Sequence, residues 1–459
     1  MTPSGTKKIA SLCSIILLGS TLLIISSTNP AVAEQDPAGS AGSDQVAAAS
    51  GSNRFVVWYD GTPGNFEIFF RRSTDNGATW QPAINLSTNP GHSYNPQIAV
   101  SGSNVYIIWT QYSSDGSLAD VFFRGSTNNG GVWGPKVKIS SSGTNFSFFT
   151  PRIAASGSNV YITWQDDGAV DVFSRRSTDG GASWKSIQNL SNNADDSFDP
   201  QVATSGSNVY VVWYDKTAGN YEILLKRSTD SGATWKAVKN LSNNAGSSFS
   251  PQVAVSGSNV YLVWVDQTPG NSDVFFRRSA DNGATWQPAV NLSSNPKSST
   301  GPQIAISGSS VYVVWTQRIS ADEFAVFFRR STDNGGIWGP KIEISSSGMN
   351  VGFPPRVAAS GSNVYISWGD DGAADVLFRR STDSGATWKP IINISNNAGN
   401  SRDPQVAASG SNVYLVWVDR TPGNNDILLK RSTDSGATWK AVKNLSNNAG
   451  TSDFPQIGV

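Results

Sequence analysis

Apolar and polar residues alternate along this chain in short bursts that repeat. In one stretch, Pro200-Gln201-Val202-Ala203 reads as a first strand and Ser205-Gly206-Ser207-Asn208 as a tight turn. Val209-Tyr210-Val211-Val212-Trp213 then forms a second strand, apolar on both faces. Such a strand has to be covered on both sides. A loop over 214–220 leads to a third strand, Glu222-Ile223-Leu224-Leu225-Lys226-Arg227, and a turn joins this to a fourth near 237–241. The pattern predicts four antiparallel strands per unit and no helix.

The third-to-fourth turn is an eight-residue box, Ser-x-Asp-x-Gly-x-x-Trp, that begins at Ser73, Ser126, Ser177, Ser228, Ser279, Ser331, Ser381 and Ser432. Successive starts lie 53, 51, 51, 51, 52, 50 and 51 residues apart. Box 2 and box 6 share Asn-Gly-Gly before an aliphatic residue and Trp (129–133 and 334–338), and boxes four apart are separated by 206, 205, 204 and 204 residues. A block of four units has been duplicated. A lone four-stranded sheet cannot bury two apolar faces, whereas eight set radially bury each against its neighbours. The expected fold is therefore all-β, a β-propeller of eight four-stranded antiparallel blades. Two segments compete for the first strand of blade 1: Asp44-Gln45-Val46-Ala47 near the start, and Pro455-Gln456-Ile457-Gly458-Val459 at the end. The expectation is that the C-terminal strand closes the ring or competes for that place. Blade packing accounts for all sixteen tryptophans, eight closing the boxes and eight on second strands, so none is left over as a sugar-stacking platform.

Residues 1–33 read as an export signal: Lys7 and Lys8, an apolar run over 9–25, then Ala31-Val32-Ala33 as a cleavage site. An uncleaved membrane anchor is the competing reading. Either way the folded part is expected outside the cell, secreted or at the cell surface, with 34–43 a flexible linker and 44–459 the propeller. With 34 Lys+Arg against 34 Asp+Glu the formal net charge is zero, and charged residues make up 15%. A nucleic-acid partner is excluded, since phosphate contacts call for a basic excess. The one cysteine, Cys13, lies in the signal, and His92 is the one histidine. Zinc and Ser/His or Cys/His catalysis are excluded on those counts, and no cofactor is expected.

The box resembles the Asp-box of the bacterial neuraminidase repeat (BNR), found in the sialidase-like propeller superfamily, and the resemblance covers residues 44–459. It implies a structural role for Asp75, Asp179, Asp230, Asp281, Asp333, Asp383 and Asp434, whose carboxylates accept backbone N–H bonds across the turn. Asn128 stands at this position in box 2, keeping an acceptor while losing the charge, which argues against metal ligation. The superfamily contains sialidases, other hydrolases, lyases and non-enzymatic propellers, so function has to be argued from the site.

The resemblance also implies where to look, on the face opposite the boxes. Sialidases of the superfamily use an arginine triad, a Tyr activated by a Glu, and an Asp acid/base. First-strand arginines occur in two units, Arg152 and Arg356, half a ring apart, where the other units have Gln. Arg pairs before most boxes read as third-strand structure. Of five glutamates, Glu323 alone is a loop candidate, and nothing pairs it with Tyr59, Tyr94, Tyr112, Tyr214 or Tyr221, the tyrosines outside the repeated Val-Tyr position. Acids follow the second-strand Trp at Asp60, Asp215, Asp266 and Asp419 and in the doublets Asp166-Asp167 and Asp370-Asp371. With Arg152 and Arg356 the doublets could form two equivalent polar pockets; solvated turn-forming loops are the competing reading. Repeated Asn-x-Ser sequons, at Asn189, Asn291 and Asn444 among others, read as structural rather than glycosylated, and Asn145 lies outside the repeat. The expected function is a non-catalytic propeller that binds a glycan or surface protein, with a sialidase-type exo-glycosidase as the alternative.

Overall fold

The computed structural model describes residues 51–459 apart from 142–150, 167, 217, 218, 347, 348, 353 and 422. The described strands form eight four-stranded antiparallel sheets, the blades of a β-propeller. Blade 4 has Ser197–Ser205 innermost, then Asn208–Asp215, Glu222–Ser228 and the two-residue outer strand Lys239–Asn240. Blades 2 to 8 follow sequence order. In blade 1, Arg54–Asp60, Glu67–Ser73 and Ile84–Asn85 are completed by Ser452–Gly458, with Ile457 opposite Val56 and Gln456 opposite Val57. The C-terminal strand thus closes the ring. The competing segment, 44–47, lies outside the described residues.

The doubly apolar second strand finds cover on both sides. In blade 4, Tyr210 and Val212 pack with Val253, Leu262 and Trp264 of blade 5, while Val211 and Trp213 pack with Val172 and Leu190 of blade 3. Alternate residues serve opposite neighbours, as the period of a strand dictates. The second-strand tryptophans are fully buried, and Trp58, Trp109, Trp164, Trp264 and Trp315 stack on a Phe of their own third strand. Box tryptophans cross instead to the preceding blade: Trp133 meets Phe70 edge-on, as Trp184 does Phe123, Trp338 Phe276, Trp388 Phe328 and Trp439 Phe378. Trp80, Trp235 and Trp286 pack against the cores of their joints without a ring partner among the described residues. Opposite Trp286 and Trp80 the third-strand position is Leu225 and Leu429, and opposite Trp235 it is the much smaller Ser174.

The box is a hydrogen-bonded turn. Ser73 Oγ donates to Asp75 Oδ1 (2.7 Å) and accepts from Gly77 N (2.8 Å), while Thr79 N and Oγ1 donate to the two Asp75 oxygens at 2.8 and 2.6 Å. Desolvation raises the Asp75 pKa, but the bonds from Thr79 and Ser73 outweigh it and hold the group down at about 2. Asp179, Asp230, Asp281, Asp333, Asp383 and Asp434 are lowered in the same way. In box 2, Asn128 Oδ1 accepts from Val132 N (2.7 Å), and Val132 has no hydroxyl to need a second oxygen. Box glycines also permit close approach between blades. At Gly181, with φ +89°, a Cβ would lie 2.3 Å from Phe123.

The Arg pairs are clasps between blades. The first member reaches back to the preceding blade, as Arg175 does to Ile139 O (3.0 Å), Arg329 to Leu292 O (3.2 Å) and Arg379 to Ile344 O (2.7 Å). The second reaches forward to the next box: Arg72 to Asn129 O, Arg227 to Asn282 O, Arg330 to Ser384 O, and across the seam Arg431 to Asn76 O at 3.1 Å. The sequon side chains are likewise used within blades. Asn189, Asn291 and Asn444 each donate from Nδ2 to the acid opening the third strand, at 2.7 to 2.8 Å. Asn145 lies outside the described residues.

Candidate functional site

Inner strands enter from the face opposite the boxes through a Ser-x-x-Pro segment, and this segment bulges. In blade 4 the pairing register shifts between Phe198 and Gln201, leaving Asp199 at φ +46°. The equivalent residues Asn95, Ser250, Gly301, Asp403 and Phe454 are also left-handed, with φ between +49° and +59°. Asn, Asp and Gly tolerate this conformation, whereas a bulky aromatic is strained there. Phe454 is nevertheless at φ +52°, and it is 45% exposed.

The acids after the second-strand tryptophan depart from both readings of the sequence. Asp60, Asp215, Asp266 and Asp419 are fully buried, because the strand runs on past Trp to include them. Each accepts from its own Trp: Trp58 Nε1 donates to Asp60 at 3.2 Å, Trp213 to Asp215 at 3.2 Å, Trp264 to Asp266 at 3.0 Å and Trp417 to Asp419 at 3.1 Å. The inner-strand serine (Ser452, Ser197, Ser248 or Ser401) and an inter-blade Asn (Asn448, Asn193, Asn244 or Asn397) donate to the same carboxylate. These are staples, with no open surface to offer a ligand.

The two predicted pockets are not equivalent. In the first block Arg152 is buried, with Nη2 3.9 Å from Asp199 Oδ1 and Nη1 3.5 Å from Gln97 Oε1, and Gln201 Nε2 donates to the same Asp199 oxygen at 3.0 Å. Asp166 is buried and caps its turn by accepting from Gly168 N at 2.8 Å; Asp167 lies outside the described residues. In the second block Asp370 caps the same turn from Gly372 N (3.0 Å) and also accepts from Asn350 N (3.2 Å), while Asp371 is exposed. Partial burial and the Asp370 charge raise the Asp371 pKa. Arg402 pairs with Asp453 at 2.8 Å and lies 3.6 Å from Asp403. Burial raises both carboxylates against the lowering charge of Arg402, which Arg356 joins at Asp403. At the positions of Arg402 and Asp453 the first block has Phe198 and Phe249. One mouth is charged and the other aromatic.

The off-register tyrosines are gathered by the fold into two aromatic clusters on this face. In blades 1 and 2, Tyr59 meets Phe66, Tyr94 and Phe454 with ring centroids 5.3 to 5.5 Å apart; Tyr94 extends the set to His92 and Tyr112 at 5.8 Å. In blades 4 and 5, Tyr214 meets Phe198, Tyr221 and Phe249 at 5.3 to 5.7 Å. Their departure from the Val-Tyr register was the available signal. What sequence reasoning missed was the partner phenylalanines. The carboxylates sought beside these tyrosines have other uses: Glu67 accepts from Asn65 and Asn89, Glu222 from Asn220, and Glu323 from Ser320 Oγ at 3.1 Å. Burial and the nearby Asp453 push the Tyr59 phenol above its ordinary pKa. Among the described residues no group of three or more His, Cys, Asp or Glu could hold a metal ion, and no helix is long and apolar enough to cross a membrane.

Residues 65–366 match the family model of the BNR repeat-like domain. No curated protein matches the chain. Among solved structures it is similar to polysaccharide lyase Uly1, at 10% identity and TM-score 0.52 over 76% of this chain and 89% of that one. A PL25 ulvan lyase gives 10% identity and TM-score 0.48 (75% and 92% covered), and an α-L-arabinanase of Penicillium chrysogenum with arabinobiose gives 17% and 0.41 (65% and 93% covered). At these identities the likeness is one of fold.

Proposed function

We propose, for a chain that belongs to the BNR repeat-like domain family, the function of an exported, non-catalytic propeller that binds glycans on the face opposite its boxes. The observation that carries this reading is Phe454, an aromatic ring held exposed in a left-handed bulge where the other bulged inner strands have a small or polar residue. A strained conformation persists where the surroundings over-determine it, and such positions concentrate at binding sites. With Tyr59 and Tyr94 behind it, Phe454 offers the flat apolar surface on which the C–H face of a sugar ring packs, and hydroxyls at the edge supply polar contacts. The second cluster on the same face suits a bivalent or extended glycan, whose second contact is then intramolecular. Supporting the non-catalytic reading, the Tyr59 phenol is shifted upward, the wrong direction for a nucleophile.

Phe454→Ala should leave the fold intact and weaken glycan binding by about tenfold, equivalent to ~1.4 kcal/mol, as measured by calorimetry on a ligand found by glycan array. Equal binding by the variant, or an array with no hit, counts against the proposal. The exo-glycosidase reading draws on a different observation, the raised carboxylates of Asp371, Asp403 and Asp453 near Arg356 and Arg402. It predicts turnover of fluorogenic sialosides or other glycosides that Arg356→Ala abolishes.

A further inference from the structure

The joint between blades 3 and 4 lacks a large apolar filler. At the third-strand position where Phe70, Phe123, Phe276, Phe328 and Phe378 receive the next blade's box tryptophan, and blades 4 and 8 have Leu225 and Leu429, blade 3 has Ser174. The loss of the ring leaves a cavity of about 250 Å³ between blades 3 and 4, on the box side of the propeller. Ser174, Arg175, Arg176, Lys185, Gln188 and Trp235 line it, and none of its lining residues is acidic.

The walls are held by bonds of their own. Arg175 donates from Nε to Lys185 O (2.9 Å) and from Nη1 to Ile139 O (3.0 Å); Arg176 donates from Nη1 to Ser231 O (3.0 Å). These bonds hold both guanidinium groups through neutral carbonyls. Trp235 donates from Nε1 to Gln188 Oε1 at 2.6 Å, which sets the plane of the indole. Where a ring fills the joint it presses on the box glycine, as Phe70 does on Gly130; here a Cβ on Gly232 would instead meet Arg176 Cδ at 3.1 Å.

We infer that this cavity is a second saccharide site, distinct from the aromatic face, and that it takes a sugar ring bearing an anionic group, with Trp235 as the stacking surface and Arg175, Arg176 and Lys185 as the anion partners. A ring with one apolar face matches an indole, and an anion matches three cations in a lining that holds no carboxylate. Carboxylate and sulfate satisfy the same chemistry, so the probes are trigalacturonate and a sulfated chondroitin disaccharide, with maltotriose as the neutral control.

Calorimetry on the full chain should show binding of at least one acidic probe, weakening as salt rises, and none of maltotriose. Ser174→Phe restores the residue that five other blades carry at this joint. It should weaken binding by more than about tenfold without lowering the melting temperature, and the exposed Lys185→Ala should weaken it by several-fold even if Ser174→Phe fails to fold. Phe454→Ala should leave this binding unchanged, which separates the cavity from the site proposed on the other face. Binding of neither acidic probe, or binding that survives Ser174→Phe and Lys185→Ala, overturns the inference.

Discussion

A chain ending at residue 451 should not hold a closed ring. Without Ser452–Gly458, blade 1 loses its innermost strand, Val56 and Val57 lose their cross-strand partners Ile457 and Gln456, and Asp60 loses Ser452. Blades 1 and 8 also lose part of a shared cluster, in which Ile457 and Val459 pack with Trp58, Tyr414 and Val416. The loss is of the order of the whole folding free energy of a typical domain, ~5–15 kcal/mol. In thermal melts followed by near-UV circular dichroism, the cooperative transition of the full chain should vanish or fall far below its original temperature. The open edge of blade 1 should also drive self-association, visible by light scattering. A truncated chain that melts like the parent would mean that another segment supplies the strand.

Asp60→Ala should be the most costly single substitution at the seam, at about 3–5 kcal/mol in urea titration, because five donors lose a buried acceptor at once. Those donors are Trp58 Nε1, Thr62 N, Thr62 Oγ1, Ser452 Oγ and Asn448 Nδ2, and two of them come from the far end of the chain. Asp419→Ala breaks the corresponding set between blades 7 and 8, where no chain ends meet, and comparing the two variants isolates what closure adds. The same staple predicts an acid limit. Desolvation raises the Asp60 pKa, but the bonds from Ser452, Thr62 and Asn448 lower it further, and the net shift is below the ordinary 3.8. A lowered carboxylate contributes stability that is complete above its unfolded value and lost as pH falls through its folded value. Asp419 and the seven box aspartates have the same sign, whereas Asp371, Asp403 and Asp453 have the opposite one and favour the fold when protonated. The melting temperature should therefore hold down to about pH 4 and drop steeply toward pH 2. An Asp60→Asn chain should show a shallower drop.

The blades and the box were legible because their signals are local and recur about every fifty residues, so that eight copies correct one another. Even the loss of charge at Asn128 was readable as structural. Contacts that cross units were harder. Trp235 looks like every other box tryptophan, and its difference lies in Ser174, about sixty residues earlier on a neighbouring blade. The acids after the second-strand tryptophan were read as loop residues since the apolar run ends at Trp; the strand continues through a buried carboxylate because Trp, Ser and Asn all donate to it. The equivalence expected of Arg152 and Arg356 failed for a related reason. Duplication preserved both arginines, while the residues around them diverged to Phe198 and Phe249 in one block and Arg402 and Asp453 in the other.

The forward arginine clasps make the ring mechanically uneven. Blades 1 and 3 to 8 each fasten a guanidinium onto the next box, through Arg72, Arg176, Arg227, Arg278, Arg330, Arg380 and Arg431. Blade 2 has Gly125 in that place and leaves its joint to blade 3 without the rivet. Other bonds stand in for it there: Tyr106 Oη and Asn104 Nδ2 donate to Gly157 O at 3.1 and 3.2 Å, and Gly157 N donates to Ser101 Oγ at 2.8 Å. The joint that departs from the common fastening therefore lies between blades 2 and 3, away from the seam that the C-terminal strand closes.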